Sequence, residues 1–425
     1  MKRLTVKKLI LLLITTYSFS QLINCDRYKI VTVYDLFDKI EKNDKVRYGR
    51  LNELSFKDKS YNFKIYIDGY MKTGKKVTDN VVDNVHFTER SVKIHADKLL
   101  YSSLKKYNSQ ILRINALLNS LNIKNRVNSD LVLGLNTYSN LLFLQQKIDI
   151  LNKIIKRQKS IYDYLINRYN EGVGSKIDVL NAKIDLANLN QNLISSYKDY
   201  AQNLIIFNYL YGDNKNKDYY FMPFLPKFAI SLKQLQKEVL KNNYNAKIAK
   251  LNLKKSFYNY QKSSLHPINI NFYSFAGYTQ SIQKTFNLGS DLNSFDWEMG
   301  VTFNIPLYDA QLKQARENSK VNYLIQREAY KSDIQKILQN VYKIYQNIIY
   351  ERKNIKIIRK KIDVYKEEID FYQNRIYSGL NEYTQYATVL KNYLNEMINL
   401  RNSVNRLNTD ILLLKILSGR SVGEN

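Results

Sequence analysis

A single cysteine, Cys25, and only three histidines, His86, His95 and His266, occur in 425 residues. The lone thiol excludes a disulfide framework, and so few thiols and imidazoles exclude the cysteine- and histidine-rich zinc sites. Chain breakers are scarce as well, with 13 glycines and 4 prolines, well below average usage of about 7% and 5%. A chain this poor in breakers and yet 44% hydrophobic is not disordered, and its punctuation does not cut it into ordinary globular domains. Long helix in an elongated architecture is the reading. No apolar run reaches the roughly 18 to 20 residues that a membrane-spanning helix needs. Paired catalytic carboxylates, a phosphate-binding glycine loop, a Gly-x-Ser-x-Gly elbow and a metal-ligand cluster are all missing, so neither an enzyme nor a cofactor is expected.

Acidic residues are outnumbered: 66 Lys and Arg face 38 Asp and Glu, a formal net charge of +28. Such an excess suits a polyanion or an anionic lipid surface. The basic residues, however, are spread through the chain without an Arg-rich stripe, and no nucleic-acid-binding motif accompanies them. Even Lys-rich usage explains the charge, and no nucleic acid is expected as a partner.

What is present begins with export. Met1-Lys2-Arg3 and Lys7-Lys8 form a basic start, Leu9 to Ile14 is apolar, and Ser18-Phe19-Ser20 offers small residues to a signal peptidase, giving a signal peptide over 1–20. Cys25 follows in Leu22-Ile23-Asn24-Cys25, which resembles a lipobox except that Asn24 stands where a small residue is usual. Removal of 1–24 with lipid attachment at Cys25 therefore stands beside cleavage after Ser20.

The rest of the chain is an internal duplication. Arg168-Tyr169-Asn170-Glu171-Gly172 and Arg375-Ile376-Tyr377-Ser378-Gly379 lie 207 residues apart, and each is followed 40 residues later by another glycine, Gly212 and Gly419. The same offset carries Leu100-Tyr101 onto Leu307-Tyr308, while upstream Leu51-Asn52 pairs with Leu251-Asn252 at an offset of 200. The repeats run over about 28–222 and 223–425, and Pro223, Pro226, Pro267 and Pro306 all fall at junctions of this scheme. Between Leu100 and Gly172 only Gly134 interrupts, and between Tyr308 and Gly379 nothing does. An unbroken helix of that span is on the order of 100 Å long. Tyr393, Met397, Leu400, Val404, Leu407, Ile411 and Leu414 step by four and three, as do Leu193, Tyr197, Tyr200, Leu204 and Phe207. That period of about 3.5 specifies coiled-coil pairing.

Four short segments keep a period of two instead. Phe63, Ile65 and Ile67, then Val92, Ile94 and Ala96, then Ile268, Ile270 and Phe272, then Met299, Val301, Phe303 and Ile305 alternate with polar residues. Strands are expected at about 61–70, 90–97, 267–278 and 295–306, joined by polar loops over 72–88 and 279–293. Aromatic residues collect at their ends, in the pattern of a transmembrane β-barrel; a small half-buried sheet capping a helical bundle is the soluble alternative. Four strands cannot close a membrane barrel, whose smallest members have about eight, and lipid does not tolerate an open edge. Placed in a membrane, the chain must oligomerise: a trimer supplies twelve strands, and the count alone also allows a dimer.

Tyr169-Asn-Glu-Gly172, followed by Lys176-Ile-Asp178-Val-Leu-Asn181-Ala182-Lys183 and the run to Leu210-Tyr211-Gly212, resembles the repeat signature of bacterial outer-membrane efflux proteins, the TolC family. Gly300-Val-Thr-Phe-Asn-Ile-Pro306-Leu-Tyr308 resembles the family's strand running into a long helix. The resemblance implies a mainly α fold with a small β part. Duplicated helix-strand-strand-helix units would form an α-barrel of coiled-coil helices, and four strands per chain would enter a trimeric 12-stranded β-barrel in the outer membrane of a Gram-negative bacterium. It further implies a homotrimer docked on a periplasmic adaptor and an inner-membrane pump of RND or ABC type, for efflux or type I secretion. Gly172 and Gly379 then fall at the periplasmic tip, though an ordinary helical hairpin would use the same glycines. In the family, acidic residues after the second of these glycines narrow the entrance. Here the positions are Gln385 and Thr388, with Asp178 and Asn181 in the first repeat, so cation preference does not carry over; Asp178 reads equally as an entrance residue or a solvated helix carboxylate. A different class of function also fits the residues: an exported basic coiled-coil scaffold of the envelope, without channel activity.

Overall fold

The computed structural model describes residues 29–54, 63–78, 81–212, 218–228, 230–285, 288–306, 309–380 and 382–419. The signal segment, Cys25 and the Leu307-Tyr308 pair lie outside them. In chain order the elements are β1 (Lys29–Val31), α1 (Val33–Leu54), β2 (Phe63–Thr78), β3 (Val81–Ser102), α2 (Lys105–Asn170), α3 (Lys176–Tyr211), β4 (Tyr219–Phe221), α4 (Leu232–Asn242), α5 (Tyr244–Ser263), β5 (Asn269–Thr285), β6 (Leu288–Asn304), α6 (Ala310–Tyr377) and α7 (Tyr383–Leu417). Two adjacent strands followed by a very long helix and a shorter one occur twice. Among the described residues no helix is long and apolar enough to cross a membrane.

The chain divides into two units, each drawing on both repeats: 1–49, 124–243 and 336–425 in one, 50–123 and 244–335 in the other. The first unit is helical, with three apolar cores. One gathers Leu36, Leu135, Tyr138, Leu141, Phe207 and Phe221 around the parallel pair β1–β4. The Tyr138 hydroxyl lies 2.8 Å from the carbonyl oxygens of both Val31 and Met222, and Gln145 meets both backbone groups of Phe221. Gly134 is explained here: a β-carbon at that position would stand 2.6 Å from Ile40 of α1, so a side chain would push the packed helix away. A second core joins Ile154, Ile161 and Ala182 to Ile369, Ile376, Tyr383 and Leu390. The third packs Leu235 and Val239 of α4 on Val341, Ile344, Ile411 and Leu414.

The seven-residue pattern is only partly covered. Phe207, Ile411 and Leu414 are buried, whereas Tyr197 is 51% exposed. A second seam appears on α3, where Ile177, Leu180, Ile184, Ile194 and Ile205 are exposed. A third appears on α6, where Tyr350, Ile357, Val364 and Phe371, seven residues apart, are between 54% and 64% exposed. Apolar residues repeating every seven positions on a helix surface are coiled-coil contacts, and among the described residues these two rows are left exposed.

The second unit holds one antiparallel sheet in the order β2-β3-β5-β6, with β2 and β6 at its edges. The register aligns apolar rows on one face: Phe63–Lys98–Phe272–Val301, Ile65–Ala96–Ser274–Met299, Ile67–Ile94–Ala276–Trp297 and Gly69–Val92–Tyr278–Phe295. Ile65, Ile67, Val92, Ile94, Phe295, Trp297, Met299, Val301 and Phe303 are between 47% and 71% exposed. The other face carries Lys64–Asp97–Tyr273–Gly300, Tyr66–His95–Phe275–Glu298, Asp68–Lys93–Gly277–Asp296 and Tyr70–Ser91–Thr279–Ser294. All four strands are longer at the hairpin ends than the alternation indicates. The polar stretches expected as long loops over 72–88 and 279–293 continue the ladder almost to its turns, because backbone pairing is indifferent to side-chain polarity once the apolar face is no longer required. At the opposite end, residues 267, 268, 305 and 306 fall outside the strands.

Candidate functional site

The tips of the two helical hairpins are built by one backbone device. Where α2 ends, Gly172 adopts φ 78°, its N–H donates to the Tyr169 carbonyl at 3.0 Å, and the Val173 N–H donates to the Arg168 carbonyl at 3.0 Å. Where α6 ends, Gly379 adopts φ 92°, its N–H donates to Ile376 at 2.9 Å, and the Leu380 N–H reaches Arg375 at 3.1 Å. This paired closure satisfies the last helix carbonyls and requires a left-handed residue, which only glycine adopts without strain.

Beyond the turns the repeats diverge. Ser175 caps α3, its hydroxyl accepting from the Asp178 N–H at 3.4 Å. Gly174 is needed because a β-carbon there would stand 2.6 Å from the Tyr169 nitrogen. At the corresponding place Glu382 makes no side-chain cap and instead pairs with Arg375 at 2.5 Å. Arg168 donates to the Val173 carbonyl at 3.3 Å, and its guanidinium would lie 3.4 Å from a β-carbon on Gly379, so the two turns are neighbours. Tyr164 joins them further: its hydroxyl donates to the Tyr377 carbonyl at 3.0 Å, and the two rings meet edge to face at 4.9 Å.

Behind the turns lies a buried polar knot. Tyr383, 2% exposed, donates its hydroxyl to Asp185 at 2.6 Å and accepts from the Gln158 amide at 2.6 Å. Gln158 is itself 1% exposed and also reaches the Ala182 carbonyl at 3.5 Å. Beside it Arg157 bonds Asp370 at 2.6 Å and the Gln373 side-chain carbonyl at 2.9 Å. Burial raises both nearby phenols above their ordinary range: Tyr383, where the Asp185 carboxylate adds to the effect, and Tyr386, pushed up to about 12.

The four entrance candidates form two pairs, Asp178 and Asn181 one turn apart on α3 and Gln385 and Thr388 one turn apart on α7. Asp178 is half-buried in the first turn of α3, and burial raises its carboxyl above the usual range. Asn181, Gln385 and Thr388 are exposed. Gln385 and Thr388 lie away from the buried face of α7 that carries Tyr383, Tyr386 and Leu390. The Thr388 hydroxyl donates to its own helix at the Thr384 carbonyl, 2.9 Å away. Among the described residues no hydrogen bond joins any two of the four.

The repeat-end glycines Gly212 and Gly419 take φ 72° and 66°, and each is flanked by an asparagine clamp. Asn43 donates to the Leu210 carbonyl and Asn243 to the Leu417 carbonyl, both at 3.3 Å. The donors are 200 residues apart and the acceptors 207, the two offsets visible in the sequence. Sequence reasoning missed these clamps, Gly174 and the Tyr383 knot. The repeated arginines of the glycine motifs were a visible signal, since Arg168 and Arg375 both stabilise the turns.

Residues 235–419 match the model of the outer membrane efflux protein family. A comparison with curated proteins finds no sequence match. Among solved structures, the chain is similar to the outer-membrane channel OprN, with TM-score 0.75 and 13% identity, over 92% of this chain and 90% of that one. It is also similar to the outer membrane protein VceC from Vibrio cholerae, with TM-score 0.72 and 12% identity, over 92% and 96%. The Campylobacter jejuni CmeC outer membrane channel matches with TM-score 0.69 and 13% identity, over 92% and 86%. At these identities the likeness is one of fold.

Proposed function

We propose, from a chain whose second repeat carries the outer membrane efflux protein signature and whose fold is that of TolC-like channels, that three copies form a passive exit duct across the periplasm and outer membrane of a Gram-negative bacterium. The observation that carries this reading is the open-edged sheet. Its four apolar rows cover seven residues on every strand, 63–69, 92–98, 272–278 and 295–301, and the exposed side chains of Met71, Leu100 and Phe303 extend the band towards the roughly 9 to 11 residues a tilted strand needs to cross a bilayer. Edges at β2 and β6 leave backbone groups that lipid cannot satisfy, and joining β6 of one copy to β2 of the next removes every edge. The uncovered seams on α3 and α6 support the same conclusion for the helices. A helix with apolar rows on two sides belongs inside a wall, and a wall of such helices ends only by closing on itself.

In this duct the two repeats, 28–222 and 223–425, contribute equivalent hairpins. The tips at Gly172 and Gly379 face a periplasmic adaptor, and Asp178, Asn181, Gln385 and Thr388 line the entrance once three copies surround it. No segment resembles a nucleotide-binding motif, so the energy for transport comes from an inner-membrane pump of RND or ABC type. A lipid on Cys25 would add a second anchor to the membrane. The test is extraction and conductance: the protein should require detergent, migrate as a trimer and conduct ions in planar bilayers. A water-soluble, non-conducting product would instead identify an envelope scaffold.

A further inference from the structure

The sheet's polar face departs in sign from the protein around it. Over the four rows backing the apolar band, Lys64 and Lys93 are opposed by four carboxylates, Asp68, Asp97, Asp296 and Glu298, a net charge of −2 in a chain of +28. By register Lys64 stands directly opposite Asp97, and Lys93 opposite Asp68. The two acids of β6 have no such counterpart, since Asp296 faces Gly277 and Glu298 faces Phe275. Glu298 is also fixed in place. The Tyr273 hydroxyl donates to it at 2.5 Å, and Tyr273 lies flat across Gly300, where a β-carbon would stand 2.7 Å from that hydroxyl. The same rows present aromatic faces. Tyr66 and His95 stack at 4.9 Å, and the Lys93 ammonium sits 4.5 Å over the Phe275 ring, so the face already holds one organic cation of its own by an aromatic ring with a carboxylate nearby.

Resting on the duct reading above, we propose that this face lines the barrel and makes the membrane section of the duct prefer cations, with Asp296 and Glu298 as the residues that set the preference. Three copies place a charge of −6 around one lumen within low-dielectric walls, an arrangement that concentrates counter-ions. The preference is local to the barrel and independent of Gln385 and Thr388 at the helical entrance.

The test is the reversal potential of the full-length protein in planar bilayers under a potassium chloride gradient near 0.1 M, where the screening length is about 10 Å. The wild type should pass potassium in preference to chloride, and Asp296→Asn with Glu298→Gln should lower the ratio by at least about twofold, while Lys93→Gln should raise it. Near 1 M, where screening acts over about 3 Å, the three proteins should converge. A conducting wild type whose ratio neither variant moves would overturn the assignment. A wild type that does not conduct would overturn the duct itself and the preference with it.

Discussion

Replacing Tyr383 by Phe removes one oxygen that serves two partners and leaves the ring in place. The Gln158 amide, 1% exposed, is then left with a single bond at 3.5 Å to the Ala182 carbonyl. A buried donor without a partner costs about 1 to 3 kcal/mol. Asp185, half-exposed, recovers water in place of the phenol and adds little. A local loss of about 2 kcal/mol follows, equivalent to roughly 30-fold faster opening of the first turns of α7. Hydrogen exchange of the backbone amides after Tyr383 reads this directly, including the Tyr386 N–H that donates to the Glu382 carbonyl at 3.1 Å. Combining Tyr383→Phe with Gln158→Leu removes both polar partners and should restore most of the protection, because a pair replaced by apolar groups of similar shape is nearly neutral. Exchange within about twofold of wild type in the single variant, or a double variant opening faster than the single, would refute the reasoning.

Valine at Gly172 or Gly379 should cost about 1 to 3 kcal/mol at the turn, because a β-branched residue is forced into left-handed backbone angles. At Gly172 the cost is backbone strain alone, since nothing lies within 4 Å of the added carbon; trimers should survive on gels while export measured by dye accumulation is lost, and normal export would count against the tip assignment. Asp410 offers a pH test: burial holds its carboxyl up at about 6, with Glu351 assisting and Arg406 opposing. A folded value above the unfolded one means that the folded chain binds the proton more tightly, so this carboxyl lowers stability as pH rises from about 4 to 6 and the loss persists above. Asp410→Asn should therefore shift the denaturation midpoint upward relative to wild type at pH 7 to 8, with the gain gone near pH 4.

The repeat, the long helices and the glycine turns were legible because each leaves a mark that survives divergence. A left-handed turn admits little besides glycine, and a fixed offset of 207 residues needs no structure to be seen. The strand centres were equally plain, since one face must be apolar and the other not. The hairpin ends of the same strands were not, because Thr73, Thr88 and Ser281 pair through backbone alone. The Tyr383 knot was hidden for another reason: Gln158, Asp185 and Tyr383 are distant in the chain, and in the first repeat the position of Tyr383 is occupied by Lys176, so duplication gave no hint. The seam on α3 was hidden because the apolar row through Leu193, on the same helix, set the phase in which that helix was read.

In the duct proposed above, the continued pairing of β2 with β3 and of β5 with β6 would set the character of its outer opening. Residues 72–78 carry the first ribbon about seven positions past the exposed Met71, a length of roughly 23 Å at 3.3 Å per residue. In such a duct the mouth would be a ring of paired ribbons extending past the apolar band, its outline held by hydrogen bonds between neighbouring chain segments and not by the membrane around them.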